Sequence, residues 1–229
     1  MDAALRSELS AYLSGFISER RKQRFSEVLA ERTGHLRIVL ENMYQAHNAS
    51  AVLRSCDCFG IQHVHFIENR HHLKISEDVA MGSSNWLSIH RHKDTENNTR
   101  AALRELKSMG YRIVATTPHT RDVNLQDLPV DKKLALVFGT EIDGISQDVL
   151  EEADEFVKIP MFGFTESFNV SVSAALCMYE LSSRIRASVP NYLLSKEEQE
   201  EVYFDWMKNS VEYSQSLIRD YLAKKSDHL

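Results

Sequence analysis

Only three cysteines occur among the 229 residues: Cys56, Cys58 and Cys177. An odd number without zinc-type spacing argues against a disulfide framework and for reduced thiols in a reducing compartment. Cys56 and Cys58 stand two apart on an expected helix and do not share a face. No apolar run is long enough to cross a bilayer. Residues 1–8 lack the layout of a signal peptide, so the expected location is cytoplasmic. The chain has no glycine-rich dinucleotide fingerprint, no P-loop, no HExxH pair and no Gly-x-Ser-x-Gly elbow. His63, His65, His71, His72, His90 and His92 are numerous, but they fall on expected strands or loops without a ligand pattern, and no metal is expected. No internal repeat or low-complexity segment stands out.

What is present is the composition of a folded α/β chain, 43% hydrophobic and 26% charged, with a formal net charge of -6. That charge offers no overall reason to expect nucleic-acid binding. One dense basic cluster, Arg20, Arg21, Lys22 and Arg24, opposes the trend near one end, and Glu197, Glu198, Glu200 and Glu201 concentrate acid near the other. A solvated helix face explains the basic cluster about as well as an RNA contact does.

Leu5, Leu9, Leu13, Phe16 and Ile17, continued by Phe25, Val28 and Leu29, recur at helical spacing and predict a helix over residues 4–32. Short β-rich runs follow at residues 36–40, 63–67, 87–90, 111–116, 134–138 and 156–159. Helical patterns separate them: one capped by Asn48 and stopped by Gly60, one over 101–109, a short one over 145–152, and one from about 168 to 187. Strand alternating with helix predicts an α/β fold with a mostly parallel sheet and helices on both faces. The all-apolar run 134–138 suits a buried parallel strand. Ser195, with Glu198 three residues on, forms a capping box for a C-terminal helix. Its apolar residues Val202, Phe204, Trp206, Met207, Val211 and Leu217 form a stripe that must be buried somewhere. The expected organisation is a helical extension over 1–34, an α/β domain over 35–190 and a second helical extension over 191–229.

Three segments hold polar residues where a plain core would not want them, each at the expected carboxyl end of a strand, where open α/β sheets bind ligands. The first carries Asn48, Ala51 and Arg54; on helix statistics alone, an N-cap and a solvent-facing arginine are the better explanation. The second carries Phe138, Gly139, Thr140, Glu141, Asp143 and Gly144; Gly139 would let a ligand approach the backbone, and a plain turn capped by Asp143 is the other reading. The third runs from Ile159, Pro160 and Met161 to Ser167, Phe168, Asn169, Val170, Ser171, Val172 and Ser173. Serine and asparagine are poor helix formers, and here they run toward a helix.

The order, spacing and content of these segments resemble the three motifs of the SpoU (TrmH-type) RNA ribose 2'-O-methyltransferases of the SPOUT superfamily, over residues 36–184. Thr140 stands where relatives often have Asn, and Phe168 where Leu is common. The short helical extensions are similar to those of the tRNA branch. The resemblance implies S-adenosyl-L-methionine as cofactor, a deep trefoil knot in the C-terminal half, and a homodimer with the site at the subunit interface, where the last helices' stripe could be buried. By position, Arg54 matches the catalytic arginine, Asn48 its support, and Glu141, Ser167 and Asn169 the polar residues that shape the site. The cofactor would be held around Thr116, Gly139, Ile159, Met161 and Phe168. The implied substrate is tRNA, at the guanosine in position 18 of the D-loop, with Arg20, Arg21, Lys22 and Arg24 helping to hold RNA. Ribosomal RNA methylation by the same chemistry, and a non-catalytic RNA-binding module, are the alternatives.

Overall fold

Gly15 and Ser18 divide what the apolar spacing reads as one helix. In the computed structural model, which describes residues 1–70, 76–118, 122–140 and 143–226, helix α1 spans Ala3–Ser14 and α2 spans Glu19–Leu29. Ser18 takes the N-cap of α2, its hydroxyl accepting from the Arg21 N–H at 3.3 Å. A fresh cap at a poor helix former outweighs continuation of the periodicity. The chain then runs β1 (Leu36–Glu41), α3 (Ala46–Phe59), β2 (His63–Ile67), α4 (Glu77–Ala80), β3 (Ser88–His92), α5 (Asn98–Ser108), β4 (Arg112–Thr116), β5 (Val123–Asn124), β6 (Leu134–Phe138), α6 (Gln147–Glu152), β7 (Glu155–Lys158), α7 (Val170–Ser188), α8 (Lys196–Ser210) and α9 (Ser214–Ser226).

Residues 33–192 form one compact unit, built on a seven-stranded sheet of order β3-β2-β1-β6-β4-β7-β5. Every pairing in it is parallel. Strand β6 lies between β1 and β4 with all five residues buried, as a strand covered on both faces requires. One face carries the larger core, in which Val52, Leu53 and Cys56 of α3 and Ala174, Met178 and Leu181 of α7 meet Ile38, Leu40, Val64, Leu136 and Phe138 of the strands. The other face packs Ala102, Leu103 and Leu106 of α5 and Val149 of α6 on Val39, Ile113, Ala135 and Val137. The expected α/β layering with helices on both faces is therefore present.

The two covers have a consequence for the carboxyl edge. The chain leaves β1 toward the α3 face, yet leaves its neighbour β6 toward the α6 face. The loops after β1 and β6 diverge, and a crevice opens between them, which is the position where parallel open sheets take ligands.

Residues 1–32 and 193–229 form the other compact unit. The Ser195–Glu198 capping box starts α8 as expected. Most of the apolar stripe is not left for an interface: Val202, Phe204, Trp206, Met207 and Val211 are buried, and Leu217 is half-buried. Trp206 meets Phe25 of α2 edge-on at 5.4 Å, and the Arg32 guanidinium lies over the same indole at 5.4 Å. The stripe faces α1 and α2 of its own chain, because two amphipathic helical segments bury more apolar surface against each other than either could alone.

Candidate active site

Helix α3 starts earlier than its polar residues suggest. Gln45, not Asn48, occupies the N-cap, with no side-chain cap bond. Asn48 sits inside the first turn with 4% of its surface exposed. Its Nδ2 donates to Gln45 Oε1 at 2.9 Å, and its Oδ1 accepts from Asn169 Nδ2 at 3.2 Å. This pair joins the first and third polar segments, which lie 121 positions apart in the chain.

Asn169 explains part of the third segment in ordinary terms. It is the N-cap of α7, its Oδ1 accepting from the N–H groups of Ser171 at 2.9 Å and Val172 at 3.4 Å and from the Ser171 hydroxyl at 2.6 Å. The helix begins at Val170, so Ser167 and Phe168 lie ahead of it. Ser167 is exposed, as is all of 162–169, so this stretch forms no buried site within a single chain. Among the described residues, no group of 159–168 takes part in a hydrogen bond. Most of this stretch is exposed, so its backbone donors and acceptors at the sheet's carboxyl edge are left to water or to a ligand.

Arg54 is exposed on α3. It lies six residues beyond Asn48, about 120° away around the helix, and no ion pair engages it among the described residues. Among the described residues, no hydrogen bond or ion pair turns it toward Asn48. Glu141 lies outside the described residues. The Thr116 hydroxyl donates to the Val137 carbonyl at 3.0 Å, and Ile159 and Met161 are half-buried.

The second segment is tied by its own backbone. Thr140 and Gly144 exchange hydrogen bonds, Thr140 N–H to the Gly144 carbonyl at 2.9 Å and Gly144 N–H to the Thr140 carbonyl at 3.1 Å. A Cβ at Gly139 would fall 2.0 Å from the Gly144 carbonyl oxygen. The chain's own return is thus enough to demand the glycine. Asp143 is not a cap; Ser146 is, accepting from Val149 N–H at 3.3 Å.

Sequence reasoning missed Glu41. It is 1% exposed and ends β1, with Oε1 accepting from the Thr99 hydroxyl at 2.6 Å and the Ser146 hydroxyl at 2.7 Å, and Oε2 from the Ser146 N–H at 3.0 Å. The carboxylate pins the far end of the 139–146 loop to β1. The available signal was a charged residue continuing an apolar strand at its carboxyl end. Beside it opens a cleft of about 320 Å³ lined by Glu41, Asn42, Arg70, Thr140, Asp143 and Gln147, among others.

In the other unit, Arg20, Arg21 and Arg24 are exposed and Lys22 is half-buried. Lys22 pairs with Glu19 at 2.7 Å and Arg24 with Glu27 at 3.4 Å; the side chains of Arg20 and Arg21 have no ion pair among the described residues. Two of the four charges are thus already balanced on their own helix.

Cys177 and the β2–β3 histidines offer no competing chemistry. Burial pushes the Cys177 thiol up to about 12, which removes it as a nucleophile. His63, His65, His90 and His92 form a ladder across β2 and β3, with His63 Nδ1 3.1 Å from His90 Nε2 and His65 Nδ1 3.0 Å from His92 Nε2. Burial first, then the neighbouring positive charge of Arg37 and the other imidazoles, lowers His63 to about 3 and His90 to about 4, and holds His65 lower still. Among the described residues, no group of three or more His, Cys, Asp or Glu is placed to hold a metal.

Three polar loops at one edge of a parallel sheet, two of them joined by the Asn48–Asn169 bond, form a candidate site placed as in α/β enzymes. The SpoU rRNA Methylase family model matches residues 35–179, and the chain belongs to that family. It is 40% identical, over 90% of its own length and 94% of the relative's, to the tRNA (guanosine(18)-2'-O)-methyltransferase of Borreliella burgdorferi. Its fold is similar to the crystal structure of the A. aeolicus TrmH/SpoU tRNA modifying enzyme, at TM-score 0.75 and 31% identity, covering 85% of this chain and 98% of that one. The SpoU methyltransferase AviRb from Streptomyces viridochromogenes, solved with AdoMet, shares the fold at TM-score 0.59 and 21% identity, over 72% of this chain and 62% of that one.

Proposed function

We propose that this protein is an S-adenosyl-L-methionine-dependent tRNA ribose 2'-O-methyltransferase acting on the guanosine at position 18 of the D-loop. The observation that carries the reading is the unpaired backbone of 159–168, joined through Asn169 to Asn48 at the edge where the family's three motifs meet. That stretch suits the cofactor: Ile159, Met161 and Phe168 offer apolar surface beside free N–H and C=O groups, with Thr116 and Gly139 on the neighbouring strand ends. When bound, the cofactor supplies an electrophilic methyl group on a sulfonium.

The protein's own part is positioning and charge. A ribose 2'-hydroxyl is a weak nucleophile, and holding it in line can supply several kcal/mol of the barrier. A guanidinium is a poor base but a strong bidentate donor, so Arg54 orients the adjoining phosphate and stabilises the oxygen as its proton leaves to phosphate or water. Asn48 and Asn169 hold the ends of α3 and α7 in register for it, while Ser167 adds a hydroxyl and Glu141 is kept as the family's matching acidic residue.

Arg54 stands apart from those groups in one chain, which supports a homodimer in which each site is finished by the second copy. Val172, Leu176 and Tyr179 form an exposed apolar row on α7, beside exposed Phe162, Phe164 and Phe168. A row of this kind is the usual mark of an interface. The reading includes the family's trefoil knot in the C-terminal half, a division into extensions at 1–34 and 191–229 around a 35–190 catalytic domain, and a cytoplasmic location, which suits three cysteines that form no disulfide. No helix is long and apolar enough to cross a membrane among the described residues.

Calorimetry with S-adenosyl-L-methionine, followed by methyl transfer to a tRNA transcript, tests the reading. The wild type should bind the cofactor and deliver one methyl to the ribose of guanosine 18. Arg54→Lys should keep cofactor affinity and lower kcat by about 100-fold, because an ammonium cannot reproduce the fork. No binding at millimolar cofactor would overturn the enzyme reading, and near-normal turnover by the lysine variant would remove Arg54 from its role.

A further inference from the structure

The crevice between the carboxyl ends of β1 and β6 has a lining that neither the cofactor nor the ribose uses. Arg70, just beyond β2, reaches across it to Asp143 on the 139–146 loop, with Nη1 3.3 Å from Oδ2. Both side chains are about two-thirds exposed, at 67% and 66%, so the pair is open to solvent and easily parted. Their backbones are held far more firmly. Asn42 Oδ1 accepts from the N–H groups of Asn69 at 2.9 Å and Arg70 at 3.1 Å. Thr140 Oγ1 accepts from the Asp143 N–H at 2.9 Å. Buried Glu41 secures the loop beyond them. A guanidinium and a carboxylate are thus presented on fixed backbone at the two sides of one cleft, at the topological switch point of the sheet. The cleft, about 320 Å³, falls at the lower end of the size range of small-ligand sites.

We infer that Arg70 and Asp143 read the base of the target nucleotide, and that the base they fit is guanine. The inference rests on the methyltransferase reading above. Guanine presents two acceptors, O6 and N7, along one edge, and two donors, N1–H and the N2 amino group, along the next. An arginine fork matches the acceptor pair. A carboxylate matches the donor pair, since each of its oxygens accepts one N–H. Adenine reverses the pattern: its N1 lone pair would face the carboxylate and its N6 amino group would face the guanidinium. Adenine gives neither group a partner in exchange for the Arg70–Asp143 pair that must open to admit a base, whereas guanine gives one to each. Thr140, beside Gly139, places the cleft next to the cofactor loop, so one loop sets both the base and the methyl donor.

The test uses full-length protein and tRNA transcripts carrying guanosine, inosine, 7-deazaguanosine or adenosine at the target position, with kcat/KM measured for each. Wild type should lose about tenfold on inosine, which lacks the N2 amino group, and about tenfold on 7-deazaguanosine, which lacks N7. Asp143→Asn should treat guanosine and inosine alike, and Arg70→Ala should treat guanosine and 7-deazaguanosine alike. Both positions are exposed, so thermal unfolding should match wild type. If both variants keep the wild-type order among the four bases, the inference is overturned. It is also overturned if Arg70→Ala weakens all four equally and lowers the salt dependence of binding, the behaviour of a phosphate contact. A wild type inactive on the guanosine transcript would instead sink the methyltransferase reading.

Discussion

Asn169 performs two jobs with two ends of one amide. Its oxygen caps α7, and its nitrogen reaches Asn48. The sequence placed asparagine beside a run of serines and left cap and site role unresolved; the geometry gives the cap to the oxygen and the Asn48 bond to the nitrogen. Asn169→Asp separates them experimentally. Aspartate keeps the capping oxygen, so the melting temperature should stay within a few degrees, as cap loss alone costs about 1 kcal/mol. It removes the donor and sets a carboxylate against the Asn48 oxygen, and methyl transfer should fall by at least about tenfold. A variant with wild-type turnover would show that the Asn48 bond has no part in the site. Gly139 carries the same lesson in another form. The residue was legible as special, but the reason, a carbonyl oxygen 2.0 Å from where its Cβ would lie, belongs to a partner five positions on.

At the scale of elements, the histidine ladder on β2 and β3 makes the sheet edge sensitive to acid. Arg37 donates toward His65 Nε2 at 3.4 Å, so His65 must donate from Nδ1 to His92. Each rung needs neutral rings, and Arg37 and Lys133 add to the cost of protonation while Glu105 eases it only at His92. The folded values of His63 and His90, about 3 and about 4, lie below the ordinary 6.5. The unfolded chain therefore takes up protons first. Stability is complete above pH 6.5 and is lost as pH falls toward 4, by up to about 1.4 kcal/mol per pH unit for each ring. Urea unfolding between pH 7 and 5 should show this slope, and His90→Gln should reduce it; an unchanged slope would mean the ladder tolerates charge. Periodicity identified most elements because it reports burial, which local sequence encodes directly. It failed at residues 15–18, where a cap competes with the apolar pattern, and at α8, whose stripe looked like an interface until α1 and α2 covered it.

For the whole molecule, the open question is how a chain of net charge -6 holds a polyanion. We propose that the Arg20, Arg21, Lys22 and Arg24 cluster supplies the contact, doubled in a dimer. Since Glu19 and Glu27 already pair with Lys22 and Arg24, most of the gain should come from Arg20 and Arg21. Replacing all four by alanine should weaken tRNA binding and flatten its dependence on salt, by up to about 0.9 per lost phosphate contact in the logarithmic slope. An unchanged slope would place the RNA elsewhere.

The sequence by itself determined the alternation of strand and helix, the buried centre of the sheet and the family, since each follows from residue type at fixed spacing. Only the tertiary structure decided which polar residues meet. Asn48 and Asn169 are 121 positions apart, and Glu41 and Ser146 are 105 apart. Such contacts depend on the order of strands, which no local pattern encodes. The stretch 159–168 shows the division most plainly: its composition marked it as unusual, and only the fold left it without hydrogen bonds among the described residues. Backbone groups are paired or exposed according to what the rest of the chain brings beside them.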